Sequence, residues 1–167
     1  MCRASFEALK QSKGTIVNIS ATLHYGAVHF VGHAASAKAG IDSLTRSMAL
    51  EWGEYGIRVN AVAPGWVEET EGFDRLIGDH ADSFAQTIPI GRACTKRDIA
   101  LSCLYLVSSA AATVTGAVLV VDGGNWLWRP KLISSSGSFS GHAQPPSHSP
   151  SHSHSSSSSH FKPTYKL

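Results

Sequence analysis

Three short apolar runs, separated by two longer segments with helical periodicity, restrict the fold of this sequence more than any other feature. The runs are Thr15–Ser20 (TIVNIS), Ile57–Ala63 (IRVNAVA) and Ala117–Val121 (AVLVV). Continuous, β-branched runs of this length are typical of strands covered on both faces of a parallel sheet. The order strand, helix, strand, helix, strand therefore predicts an α/β fold with a doubly wound parallel sheet.

Two helices are predicted between these strands. The first runs from Ala34 to about Trp52 without proline and ends at Gly53 and Gly56. The second follows Thr95, which together with Asp98 resembles an N-terminal cap. Each helix is expected to bury one apolar face, formed in the first by Ile41, Leu44, Met48 and Trp52 and in the second by Ile99, Cys103, Leu104 and Val107.

The carboxyl ends of the first two strands, at Ser20 and Pro64, mark where a site is expected. Ligands of doubly wound sheets bind beyond these strand ends. The Glu-rich stretch that follows Pro64-Gly65 is predicted to be a loop or mobile helices. A sheet of only three strands leaves apolar edges open, so we expect this segment to be part of a larger sheet or a subunit that needs partners.

Composition divides the chain into a foldable part, residues 1–128, and a tail, residues 129–167. Between Ser134 and His160 almost every residue is Ser, His, Pro or Gly, which leaves too little apolar surface to offset the entropy of ordering. The Ser/His-rich tail is therefore predicted to be disordered. His152 and His154 could share a metal ion, but a Ser/Pro background holds ligands poorly, so no metal site is predicted.

Charge, cysteine count and hydropathy exclude several classes of function. The net charge of +2 is spread along the chain without a basic stripe, so no nucleic-acid partner is expected. Three cysteines without a Cys-x-x-Cys pair fit reduced thiols of an intracellular protein. No apolar run is long enough to span a membrane, and the N-terminus lacks the apolar core of a secretory signal, so a soluble protein is expected.

The C-terminal residues Tyr165–Leu167 are similar to the Ser-Lys-Leu peroxisomal address, with its first residue replaced. A peroxisomal location is the expectation from this similarity, and a cytoplasmic one is the alternative.

Three longer motifs resemble the short-chain dehydrogenase/reductase family. They are IVNIS at the first strand, SAKAGIDSLTRSMALEWGEYGIRVNAVAPG through the first helix and second strand, and TGAVLVVDGG at the end. The resemblance runs from about Ser5 to Leu127, in order and with the family's spacing. It implies that residues 1–128 correspond to the carboxyl-terminal part of a Rossmann-like domain and lack the N-terminal half that binds most of the nicotinamide cofactor.

Two departures from the family pattern narrow the resemblance. Most members carry Tyr four residues before the helix Lys, whereas this chain has Ala34 before Lys38, and Ala21 replaces the usual catalytic Ser. The 2,4-dienoyl-CoA reductases lack this Tyr and keep the Lys, and ISATLHY, HAASAKAG, TEGFDRL and DGGNWL resemble their peroxisomal members. The resemblance thus implies NADPH-dependent reduction of a fatty acyl-CoA substrate, from 2,4-dienoyl-CoA to 3-enoyl-CoA. A conjugated diene carries charge to a remote thioester, so its proton donor need not lie beside the hydride acceptor.

The resemblance also assigns roles to individual residues. Lys38 is implied as a catalytic residue whose ammonium also bonds the nicotinamide ribose. Pro64-Gly65 is implied to lie beside the nicotinamide, Val67 to contact its carboxamide through the backbone, and Thr70 to place a hydroxyl near the phosphates. The family's Asp-Gly-Gly motif, here Asp122–Gly124, is implied to be structural.

Position along the chain adds weaker candidates. Ser20, at the end of a strand, could bond substrate or water as a second catalytic residue, or could only form a turn. His24, Tyr25 and His33 lie in or near the loop before the long helix, where they could contact substrate or be bystanders.

Two hypotheses from different classes remain open. In the first, the chain is part of a dienoyl-CoA reductase whose other half lies upstream, and is inactive alone. In the second, it is a non-catalytic fragment that docks onto full-length family members. A homo-oligomer, or a complex with a partner chain of the same family, is expected in either case, because exposed apolar edges and faces seek partners.

The sequence generates one prediction about cofactor binding. The given chain contains no Gly-rich phosphate turn between a strand and a helix, so its binding of NADPH should be undetectable or very weak. Titration of the purified chain with NADPH checks this. A saturable isotherm at micromolar NADPH would contradict it.

Overall fold

The computed structural model describes residues 2–26 and 28–127. The predicted tail, with His152, His154 and Tyr165–Leu167, lies outside the described residues. The helices and strands, in chain order, are α1 Phe6–Ser12, β1 Thr15–Ile19, α2 Gly32–Trp52, β2 Arg58–Pro64, α3 Glu71–Leu76, α4 Ala81–Ala85, α5 Lys96–Val107 and β3 Val118–Val121.

The three strands form one parallel sheet in the order β1-β2-β3. Thr15 pairs with Arg58 and Ile19 with Val62, while Ala61 pairs with Val118 and Pro64 with Val121. The α/β prediction and the order of its elements are confirmed. All three carboxyl ends lie at the same edge of the sheet, because the strands are parallel.

The central strand β2 is buried along almost its whole length, whereas β1 and β3 are only half-buried. Buried Asn60 on β2 fixes the connection into β3: its Nδ2 donates to the Val114 carbonyl at 2.8 Å, and its Oδ1 accepts from the Ala117 amide at 3.0 Å. A buried amide is tolerated here because both of its ends are hydrogen-bonded.

A core cluster on one side of the sheet joins helices α1 and α2 to β2. Met48, Ala49, Ile57 and Val59 form its buried centre. Phe6 of α1 packs on this centre, 5.0 Å from the ring of Trp52 and 5.3 Å from that of Tyr55. Helix α1 precedes β1 and helix α2 follows it, and both pack on this same cluster.

The predicted apolar face of α2 was partly wrong. Leu44 is 52% exposed, while the buried positions of the helix are Asp42, Thr45, Met48 and Ala49. Polar side chains can be buried here because they are bonded: the Asn18 amide of β1 donates to Thr45 Oγ1 at 2.9 Å. Met48 was correctly placed in the core.

The second predicted helix begins as expected, but its buried face differs. Thr95 and Asp98 form a capping box at the start of α5, with the Asp98 amide donating to Thr95 Oγ1. Leu106 is the buried residue of α5, whereas Leu104 and Val107 are 59% and 52% exposed, so the predicted face was wrong for these two. The Glu-rich stretch after β2 contains the short helices α3 and α4.

None of the helices in the described part of the chain combines the length and hydropathy needed to cross a membrane.

Candidate functional site

A pocket of about 240 Å³ lies at the carboxyl edge of the sheet. Its walls come from four segments: the residues after β1, Val31 directly before α2, the turn after β2, and helix α3 with its cap. The four residues implied to lie near a nicotinamide and its phosphates all line it, namely Pro64, Gly65, Val67 and Thr70. The structure therefore brings these sequence-predicted residues together in one cavity.

The Pro64-Gly65 turn is held against the end of β3. The Gly65 amide donates to the Val121 carbonyl at 2.9 Å. A Cβ on Gly65 would lie 2.5 Å from Asp122 Cβ, so only glycine fits at this close approach. Asp122 is itself fixed, because its carboxylate accepts from the amides of Gly124 and Trp126, both at 2.8 Å.

Thr70 caps the helix that forms one wall of the pocket. Its Oγ1 donates to the Val67 carbonyl at 2.7 Å and accepts from the Phe73 amide at 3.3 Å. Val67 in turn bridges to Cys94, which precedes α5. The Thr70 hydroxyl therefore both donates and accepts a hydrogen bond within the protein.

Lys38 lies near the start of α2 and reaches back to the end of β1. Its Nζ donates to the Ile19 carbonyl at 2.8 Å. The next residue, Ser20, is 2% exposed, and its Oγ lies 3.4 Å from the Lys38 carbonyl, to which it donates. These two bonds run in opposite directions and join the carboxyl end of β1 to α2.

Neither Lys38 nor Ser20 lines the 240 Å³ pocket. The Ser20 hydroxyl is turned into the protein, toward α2, instead of toward the pocket. The Lys38 ammonium is placed at the sheet edge by its bond to Ile19, where a rotation of the flexible side chain is enough to change partners.

A polar cluster at Asp42, one helical turn beyond Lys38, joins two of the weaker sequence candidates, His24 and Tyr25, to a residue that the sequence reasoning missed, Asp42. Asp42 is 3% exposed, and its Oδ2 accepts from His24 Nε2 at 2.8 Å and from the Tyr25 hydroxyl at 3.5 Å. Partial burial, and then the negative charge of Asp42, raise the pKa of the Tyr25 phenol above its usual value of 10.0, so Tyr25 remains a donor at neutral pH. Asp42 follows Lys38 by four residues on a helix, which places both on the same helical face, and this spacing was the signal in the sequence that could have identified Asp42.

The described residues fit one end of a nicotinamide dinucleotide. An ammonium at the sheet edge suits ribose hydroxyls, and the backbone of the turn after β2 is available beside the pocket. Helix α3, with six residues, is too short to present the aligned amides that bind a pyrophosphate elsewhere in such folds. No cluster of three or more His, Cys, Asp or Glu suited to a metal occurs among the described residues.

Comparison with known sequences identifies the relatives of this chain. Residues 1–125 match the family described as enoyl-(acyl carrier protein) reductase. The peroxisomal 2,4-dienoyl-CoA reductase of Saccharomyces cerevisiae is 50% identical over 125 residues, which cover 74% of this chain and 43% of that protein. The peroxisomal 2,4-dienoyl-CoA reductase of Danio rerio is 51% identical over 120 residues, covering 71% of this chain and 40% of the relative.

Solved structures give the same fold. A short-chain dehydrogenase/reductase family oxidoreductase from Burkholderia thailandensis is 30% identical, with a TM-score of 0.69 over 75% of this chain and 50% of that one. A protein of Agrobacterium tumefaciens described as a 2-deoxy-D-gluconate 3-dehydrogenase, solved with bound NADP, is 39% identical, with a TM-score of 0.67 over 75% and 52%. The chain thus spans less than half the length of these two curated relatives and about half of the solved proteins.

Substitution by alanine should have different effects on stability at two glycines of the pocket wall. Gly65→Ala should lower the free energy of unfolding by about 1–3 kcal/mol, because its Cβ would overlap Asp122. Gly72→Ala is the matched control: its Cβ would meet nothing within 4 Å, and alanine favours helix α3, so stability should be unchanged or rise by up to about 1 kcal/mol. Urea denaturation measures both, and equal effects of the two substitutions would contradict the geometry.

Proposed function

This chain belongs to the short-chain dehydrogenase/reductase family, and from that membership we propose that it forms the carboxyl-terminal part of an NADPH-dependent 2,4-dienoyl-CoA reductase. The observation that carries the proposal is Lys38 at the carboxyl edge of the sheet with Ala34 one helical turn before it. Most family members have a tyrosine at the position of Ala34. A site that keeps the lysine but lacks this tyrosine suits the reduction of a diene better than that of a ketone, because a ketone needs a proton donor beside the hydride acceptor. The similarity to two peroxisomal 2,4-dienoyl-CoA reductases supports the same choice.

NADPH, when bound, would supply a hydride to the far end of the diene. Hydride addition there would move electrons through the conjugated system to the thioester, and a proton added beside the thioester would give the 3-enoyl product. Because negative charge develops far from the hydride acceptor, a hydroxyl at position 34 is not required.

We assign to Lys38 the stabilisation of the negative charge that develops on the substrate during reduction. Its ammonium is held at the sheet edge by the Ile19 carbonyl, close to where the ribose of the cofactor is expected. From there it binds ribose hydroxyls and favours developing negative charge through its own positive charge. Ser20 is assigned a positioning role, because its buried hydroxyl bonds the Lys38 carbonyl and so holds the helix turn that carries the ammonium.

The pocket whose Pro64-Gly65 turn is implied to lie beside the nicotinamide also suits the reacting end of an acyl group, because the hydride acceptor must lie against the nicotinamide. Leu23, Trp66, Phe73 and Leu76 contribute apolar side chains to its lining, and the Pro64-Gly65 turn forms its floor. Apolar walls exclude water from a conjugated diene and strengthen the electrostatic interactions made there. A fatty acyl-CoA is accordingly the proposed substrate, and the peroxisome, named for both relatives above, is the proposed location.

A second function is supported by a different observation. Helix α5 exposes Leu101, Leu104, Tyr105 and Val107 by 43–59% of their surfaces, and β1 has no strand on its outer side among the described residues. Such surfaces favour docking onto a full-length family member as a non-catalytic partner. Size-exclusion chromatography with a full-length relative distinguishes a stable complex, which docking requires, from separate elution or aggregation.

The enzymatic proposal predicts the behaviour of the protein isolated from its natural source. It should oxidise NADPH in the presence of a 2,4-dienoyl-CoA, measured by absorbance at 340 nm, and Lys38→Met should lower kcat/KM by at least about 100-fold. Lys96→Met is the control, because Lys96 makes only an exposed pair with Glu69 at 3.4 Å, and it should change the rate little. Turnover of ketones but not of dienoyl-CoA would refute the assignment.

A further inference from the structure

The buried carboxylate of Asp42 connects three separate segments of the chain. It lies on α2 and accepts from His24 Nε2 at 2.8 Å and from the Tyr25 hydroxyl at 3.5 Å. The Tyr25 ring also packs edge-on against Trp126, beyond β3, with centroids 5.4 Å apart. A carboxylate as buried as that of Asp42, which is 3% exposed, is tolerated only with hydrogen-bond partners. These contacts therefore fix the loop that carries His24 and Tyr25 against α2.

The segment fixed in this way forms a wall of the pocket. His24 is the last residue of the 3-10 turn Thr22–His24, and Ala21, Thr22 and Leu23 line the cavity. The turn is closed by the Tyr25 amide, which donates to the Thr22 carbonyl at 3.1 Å. The position of Thr22 and Leu23 therefore depends on where the His24 ring is held.

The cluster is not built for stability alone. Because a carboxylate only accepts hydrogen bonds, His24 Nε2 carries the proton that it shares with Asp42. His24 Nδ1 and Asp42 Oδ1 are both buried without a hydrogen-bond partner in the structure. Unsatisfied buried polar atoms are unfavourable, and a buried polar pair is weak evidence for stability, whereas its directional bond does specify geometry.

We propose that His24 is a positioning residue for the acyl pocket: through Asp42 it locks the Thr22–His24 turn to α2 and so sets the width of the cavity at Thr22 and Leu23. The proposal rests on the proposed function, because it takes this cavity as the acyl site. Loss of the His24–Asp42 bond loosens one wall of the pocket and weakens binding of the acyl group. The hydride step, which depends on Lys38 and the cofactor, is affected much less.

Two substitutions at one position separate the bond from the shape of the ring. His24→Phe keeps a flat ring but removes the Nε2 donor, whereas His24→Gln places an amide donor close to the position of Nε2. His80→Phe is the matched control, since His80 is an exposed histidine of another 3-10 turn, Gly78–His80. Tyr25→Phe removes only the longer bond and should have a smaller effect than His24→Phe.

Hydrogen exchange of the whole chain measures the lock without any ligand. In His24→Phe the Tyr25 amide, which donates to the Thr22 carbonyl, should exchange about tenfold faster than in the wild type, with His24→Gln restoring protection and His80→Phe unchanged. Unchanged exchange in His24→Phe, or equal loss in the Phe and Gln variants, overturns the lock. If His24→Phe fails to fold, the Gln variant still decides: loss of protection of the Tyr25 amide in a folded Gln variant contradicts the donor role.

Kinetics and binding test the consequence for the pocket. In the full-length protein that contains this chain, assayed with a 2,4-dienoyl-CoA, His24→Phe should raise KM about tenfold with kcat within about threefold, and His24→Gln should recover the KM. A fall in kcat at constant KM overturns the positioning role. If the full-length wild type has no turnover, the proposed function fails by itself, and calorimetric titration with octanoyl-CoA takes over: weaker binding in His24→Phe supports the role, while equal binding, or none in the wild type, overturns it.

Discussion

The site depends on one strand, β2, being paired on both sides in the same direction. Its pairing with β1 and with β3 brings the ends of all three strands to one edge, and its burial makes that arrangement the lowest in free energy. Asn60 secures the second crossover by bonding the residues that lead into β3. If β2 were displaced by one residue, the Asn60 side chain would move to the other face of the sheet and lose its bonds to the Val114 carbonyl and the Ala117 amide.

Two reciprocal contacts at that edge give it chemical character. Lys38 donates from α2 to β1, and Ser20 donates from the end of β1 to α2, so two bonds join this helix to this strand at the point where the ammonium lies. On the neighbouring strand, Gly65 packs directly on Asp122, which brings the turn after β2 against the end of β3. A charge beside an apolar pocket is the combination expected where charge develops on a fatty acyl thioester.

Local patterns in the sequence were sufficient for the three strands and the two long helices, but not for the short helix α1 or for the buried faces of the helices. The three strands were located to within one residue because continuous β-branched runs are a local signal. The capping box at Thr95 was found for the same reason. The buried face of α2 was not, because Asp42 and Thr45 are buried through partners distant in sequence, His24 and Asn18. Of the residues implied by resemblance, Pro64, Gly65, Val67 and Thr70 line one pocket, and Lys38 does not. The buried position of the Ser20 hydroxyl follows only from three-dimensional packing.

The open side of β1 sets the most direct test of this account. Among the described residues the outer edge of β1 is unpaired, and the site beside it fits only one end of a dinucleotide, which calls for further strands and a phosphate-binding turn. The decisive measurement is the mass and N-terminal sequence of the protein isolated from its source. We predict that the isolated protein is longer than 167 residues and contains a Gly-rich turn between a strand and a helix upstream of this chain. A natural product that starts at Met1 would contradict it and make docking to another protein the function to pursue.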